Sequence, residues 1–351
     1  MPADSASGSG GAAREDVSAA ASAEAGGGGL REPLLAGQPQ GEEHARPLSP
    51  THRMNTAVGL WLMVISSLFF SLMTLLVKVG SNLGIPSFQL VFARSILQLL
   101  FALFSCAMAG IHPLGPRDKA GWMFARGACG ALGLAAMFFA ISVMDLGDAT
   151  TIFFTGPVFT ALFAYAFLGE ALTGILVLAS LLSTTGVTLV VRPAILFRHT
   201  VDPISAQAVL GAACALGGAV LAAAAYVIVR KVGTQVHFLV NVTWFGLVSS
   251  GASLVAAFAL QQPVVPDAQQ WAVLLGVGVM AFLGQCCLNS GLQLAPAGPG
   301  TVMRNLDVVF AYVYQVTLLH DPANPLSVVG AALVVSSAVL LGVAKCASSR
   351  H

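Results

Sequence analysis

Arg94, Arg304 and Asp307 stand inside long apolar stretches of this 351-residue sequence, where a charge is costly unless it faces a partner or a cavity. Gln98 follows Arg94 by four residues, one helical turn, so the two share a face. A guanidinium beside an amide can bind a carboxylate or phosphate bidentately. The alternative is an Arg94 that snorkels to an interface or bonds to carbonyls of a neighbouring helix. Arg304 and Asp307 are three apart, also on one face. They either neutralise each other as a structural pair, or Asp307 takes a coupling proton and frees Arg304 for an anionic substrate. Gln285 and Asn289, four apart, either line the same cavity or hydrogen-bond between helices.

Other polar residues are expected in lesser roles. Arg126 sits four residues past Trp122 and is expected to anchor a cytosolic interface; Lys78 and Glu170 are expected at interfaces too. All seven histidines fall in the tail, in loops or at the ends of apolar runs, none at metal-ligand spacing from a Cys or another His. No phosphate-cradling Gly-Lys motif or metalloprotease motif is present. The chain therefore reads as a protein that is not an enzyme and takes no metal or cofactor.

The elements that must position these residues follow from composition. The chain is 56% hydrophobic and 9% charged, with a mean hydropathy of +0.83, where soluble domains carry about 25% charged residues. A net charge of +1 without a basic block argues against nucleic-acid binding. A membrane helix needs about 20 apolar residues. Ten such runs are expected, over 57–77, 88–108, 122–143, 149–168, 172–191, 206–229, 238–260, 271–294, 300–319 and 326–344. They are apolar on every face rather than alternating, so they are helices and not barrel strands. Gly127, Gly130 and Gly133 in the third run, and Gly211, Ala215 and Gly218 in the sixth, allow close helix packing.

The remaining segments divide the chain. Residues 1–56, rich in Ala, Gly, Ser, Glu and Pro, read as a disordered cytosolic tail without a secretory leader. Five-helix units over 57–197 and 206–345 follow, joined by a loop at 198–205, with 346–351 as a cytosolic C-terminal tail. The Lys and Arg bias of the short flanks puts both termini in the cytosol. Six cysteines fall in the runs or the tail and imply no disulfides.

Internal similarity is the most informative feature. Lys78-Val79-Gly80-Ser81-Asn82 recurs as Lys231-Val232-Gly233-Thr234-Gln235, and Thr151 as Thr301. Leu181, Thr184, Thr185, Val187 and Leu189 match Leu333, Ser336, Ser337, Val339 and Leu341. The repeat is thus five helices, an odd number, and the second copy must enter the membrane inverted. Inverted repeats are a route to alternating access, so the expected fold is an all-α membrane protein of ten transmembrane helices and the expected function is secondary transport of a small solute. Arg94 and Arg304 tilt that solute toward an organic anion. The repeat also sets Pro157 opposite Asp307. Proline removes the helical hydrogen bond to the carbonyl of Phe153, so a broken helix at Pro157 and a charged pair would line one central cavity.

Arg94, Arg126-Gly127, Asp148-Ala149-Thr150 with Pro157, Glu170 and Gly186-Val187 resemble the EamA-type drug/metabolite transporter superfamily. Within it, 148–197 and 298–310, with Asp307-Val308-Val309-Phe310, are most similar to the G subfamily of solute carrier family 35. The resemblance covers about residues 57–345. It implies a ten-helix transporter fold in the endoplasmic reticulum, the plasma membrane or both. Because a member of that subfamily is linked to calcium homeostasis, it also implies a rival function, a non-transporting regulator acting through membrane-protein partners. One departure from symmetry is His320, which stands where the first half has Glu170.

Overall fold

The computed structural model describes residues 50–197, 206–262, 264–318, 322 and 324–347, which include no strand. The expected tail up to residue 49, the loop at 198–205 and His320 lie outside these residues.

Pro50 opens the first helix, α1 (Pro50–Asn82), which therefore starts ahead of the expected Ala57. Proline is at home in a first turn, where its missing N–H would have no partner anyway. Then come α2 (Ser87–Met108), α3 (Ala120–Val143), α4 (Leu146–Phe153), α5 (Gly156–Leu168), α6 (Gly174–Val191) and the short α7 (Ala194–Phe197). The second half holds α8 (Ala206–Val232), α9 (Phe238–Leu260), α10 (Ala268–Leu294), α11 (Ala297–Arg304), α12 (Leu306–Thr317) and α13 (Pro325–Ala347). Their ends carry local signals. Gly169 terminates α5 in the left-handed region at φ 66°, the Thr173 hydroxyl caps α6, and Asp267 with Gln270 forms a capping box on α10.

Nine helical stretches among the described residues are long and apolar enough to cross a membrane. The expected run 300–319 is not one of them. It is divided between α11 and α12 at Asn305, and it carries Arg304 and Asp307 beside the break. The matching run in the first half is divided as well, between α4 and α5 at Phe154 and Thr155.

Packing pairs helices of the two halves: α1 with α10, α3 with α8, α2 with α9, and α6 with α13. Replacing each helix by its counterpart in the other half turns α1–α10 into α8–α3 and leaves α2–α9 and α6–α13 as they are. All four pairs have glycine at a close backbone approach, and between α3 and α8 it comes from the small-residue stripes. A Cβ on Gly133 would lie 3.1 Å from the Gly218 carbonyl oxygen, and one on Gly186 only 2.7 Å from that of Gly330. The main apolar core draws on α1, α5, α6, α8, α10, the α11–α12 segment and α13.

Candidate functional site

The break between α11 and α12 exposes carbonyl groups that a continuous helix would bond, and neighbouring helices supply the partners. The Ser67 hydroxyl of α1 lies 3.0 Å from the Arg304 carbonyl and 3.2 Å from that of Met303. Asn305 donates its side-chain amide to Ser183 Oγ of α6 at 2.9 Å. The break is thus held from two sides, and it fixes the charged residues next to it. The Arg304 guanidinium donates to Asp307 Oδ2 and lies over the Phe70 ring of α1, 4.3 Å from its centroid. Arg304 Nε and Asp307 Oδ1 are buried without a hydrogen-bond partner among the described residues.

Four further helices bring polar groups to the same region. Arg94 of α2 is 7% exposed and lies 6.0 Å from the centroid of Phe245 on α9. Arg126 of α3, 2% exposed, lies over the same ring at 4.7 Å. Its Nη2 donates to Gln285 Oε1 at 3.1 Å and to Asn289 Oδ1 at 3.3 Å, both on α10. Asn289 Nδ2 in turn donates to the Gln285 backbone carbonyl at 2.7 Å and to Gln285 Oε1 at 3.1 Å, which joins the two amides into one support. The half-buried Tyr226 of α8 lies within electrostatic range of all three arginines, and Arg94 within range of Arg304. Gln98, wholly buried, has neither amide atom bonded, and Arg94 Nε, Arg126 Nε and Arg126 Nη1 are likewise without partners among the described residues.

Arg94, Gln98, Gln285, Asn289 and Asp307 are therefore buried polar groups of the bundle interior, Arg304 is partly buried, and Arg304 and Asp307 do pair. The run is broken just ahead of Pro157: α4 ends at Phe153, the Thr155 hydroxyl bonds the Ile152 carbonyl at 2.6 Å, and Pro157 lies in the first turn of α5. Without an N–H, Pro157 offers no helical bond to the Phe153 carbonyl.

Arg126 corrects an expectation. It is an interior residue, not an interfacial anchor. The helix begins at Ala120, ahead of Trp122, so Arg126 stands about 9 Å into α3 at 1.5 Å per residue. The depth reasoning applied to Arg94 would have found it had the helix start been placed correctly.

One end of the bundle is tied by a second polar group. Arg230, in the last turn of α8, donates Nε to Glu170 Oε1 at 3.1 Å and Nη1 to the Gln293 carbonyl at 2.9 Å. The Glu170 carboxylate also accepts the backbone N–H of Ala297, the first residue of α11, at 3.0 Å. Gln293 completes the tie by donating to the Val236 carbonyl at 2.8 Å. Toward the other end, a cleft of about 140 Å³ lies between α2, α3 and α9, lined by Val91, Ala131 and Ser249 among others. Val91 and Ser249 are each about one turn along their helices from Arg94 and Phe245.

The EamA-like transporter family matches this chain twice, over residues 57–192 and 209–343. The Probable transport protein YPL264C of Saccharomyces cerevisiae is 29% identical over 80% of this chain and 87% of its own length. Solute carrier family 35 member G1 of Homo sapiens is 28% identical over 80% and 78%. The Pseudopaline exporter CntI of Pseudomonas aeruginosa is 30% identical over 81% and 95%. Among solved structures, one crystal structure superposes with a TM-score of 0.69 at 16% identity, covering 83% of this chain and 97% of its own, a likeness of fold.

Proposed function

Because this chain belongs to the EamA-like transporter family, we propose that it is a multi-pass secondary transporter that moves a small organic anion by alternating access. The observation that carries the anion reading is the charge balance of the bundle interior. Arg94 and Arg126 are buried there and Arg304 partly so, and among the described residues Asp307 is the carboxylate that pairs with one of the three. Buried charge without a partner costs several kcal/mol, and an anionic solute removes that cost. Relatives named as a transport protein and an exporter support the transporter reading.

Alternating access is supported by the twofold family match and by the exchange symmetry of the helix contacts. The α11–α12 segment crosses as the tenth span, broken at its centre. Five spans per copy send the second copy through the membrane in the opposite sense, giving inverted repeats with both termini on one side, the cytosol by charge bias. The tie at Glu170 then closes the cytosolic end. Asp307 serves as the coupling group, taking a proton when the anion engages Arg304. Endoplasmic reticulum and plasma membrane are the compartments proposed.

The test is thermal stability of the purified protein against carboxylates, phosphorylated metabolites, nucleotide sugars and cations. A ligand at 100 times its Kd stabilises by about 2.7 kcal/mol. Stabilisation by anions that Arg94→Ala and Arg304→Ala abolish is expected, followed by counterflow of the same anion in liposomes. A well-folded sample that responds to no anion overturns the reading and favours a regulator that acts through membrane-protein partners.

A further inference from the structure

Arg94 and Arg126 reach the Phe245 ring from different helices, at 6.0 and 4.7 Å from its centroid. Neither guanidinium has a carboxylate partner among the described residues, and a buried charge without one is costly, so an anion that reaches both relieves that cost. The free hydrogen-bonding capacity is arranged for such an anion. Arg126 commits Nη2 to the Gln285–Asn289 support but leaves Nε and Nη1 open, Arg94 leaves Nε open, and Gln98 leaves its whole amide open. All are more than nine-tenths buried.

We propose that Arg94, Arg126 and Gln98, with Phe245 as their shared floor, clamp one oxyanion group of the solute, a carboxylate or a phosphate. Gln285 and Asn289 are then positioning residues that aim Arg126 and not ligands themselves. The clamp rests on the anion reading above and makes Arg126 a binding residue within it, distinct from the Arg304–Asp307 pair on α11 and α12. Gly130 shows how closely the site is fitted. A Cβ there would lie 2.9 Å from the Phe245 ring and 3.0 Å from Arg126 Nη1, so any side chain displaces one or the other.

The experiment titrates the full-length protein with inorganic phosphate in one arm and acetate in the other, reading Kd from thermal stabilisation. Loss of a hydrogen-bonded charge weakens binding by about 10- to 100-fold. That loss is expected for Arg94→Gln and Arg126→Gln in whichever arm binds. Arg126→Lys, which keeps the charge but not the fork, is expected to recover part of it, and Asn289→Leu to lose part of it. Gly130→Ala, with every charge kept, stands in should Arg126→Gln fail to fold; it too is expected to weaken binding.

Wild-type Kd in Arg126→Gln, with binding lost in Arg94→Gln, overturns the clamp while the anion reading stands. Wild-type Kd in Arg126→Lys and in Gly130→Ala overturns it equally if Arg126→Gln does not fold. Absence of binding in both arms also overturns the clamp, and the wider anion panel then decides the parent reading separately.

Discussion

Glu170 and Arg230 meet at 3.1 Å, although one follows α5 and the other ends α8, and the same carboxylate holds the first N–H of α11. Three helices are fastened by one side chain. The side chains are about one-fifth exposed, so each still depends on its partner. Removing either partner, by Glu170→Gln or Arg230→Gln, is expected to destabilise the protein by about 1–3 kcal/mol. A double-mutant cycle followed by thermal unfolding checks this, with a coupling clearly different from zero as the expected result.

At the α6–α13 contact the backbones touch. Gly186→Ala or Gly330→Ala places a methyl group within 2.7 Å of the opposing carbonyl, backbone that cannot rotate out of the way. Each is expected to cost about 1–3 kcal/mol. A lowered Tm in thermal unfolding is the outcome that checks it.

Asp307 offsets one of the three interior guanidiniums. Asp307→Asn leaves Arg304 unmatched, and breaking a buried pair costs about 3–5 kcal/mol. The Tm of this variant is expected to fall sharply without ligand and to recover when a bound anion replaces the lost charge. Under the proposed coupling, its transport no longer follows an imposed pH gradient.

His237, in the connection before α9, caps that helix by accepting the Leu239 N–H on Nδ1 at 3.3 Å. Partial desolvation holds the imidazole below its ordinary pKa of 6.5, although the residue is exposed. The neutral ring is the one that caps, so its contribution is fully present above about pH 6.5 and is lost as pH falls through the lower folded value. Thermal unfolding is expected to show a steeper acid-side loss of Tm in the wild type than in His237→Asn, which keeps a capping oxygen that does not titrate.

The helices were legible because an apolar run of membrane length carries its own signal, and the repeat was legible because matched residues keep a nearly constant offset. Arg304 and Asp307 were found for a similar reason, as charges deep in apolar sequence. Arg126 was not, because Trp122 looked like the interfacial end of its run, whereas α3 starts two residues earlier, at Ala120. Asn305 was missed too. A lone asparagine carries no warning that a helix stops, and its break depends on Ser67 and Ser183, which are remote in sequence.

The eight residues of α11 run from Ala297, held by Glu170, to Arg304, stacked on Phe70. At 1.5 Å per residue that is a stiff rod of about 10 Å. The fastening and the charged pair are thus the two ends of one short helix that stops at Asn305. Linkage then makes the traffic mutual: if cutting the fastening changes the grip on a ligand at Arg304 by some factor, the ligand changes the strength of the fastening by that same factor.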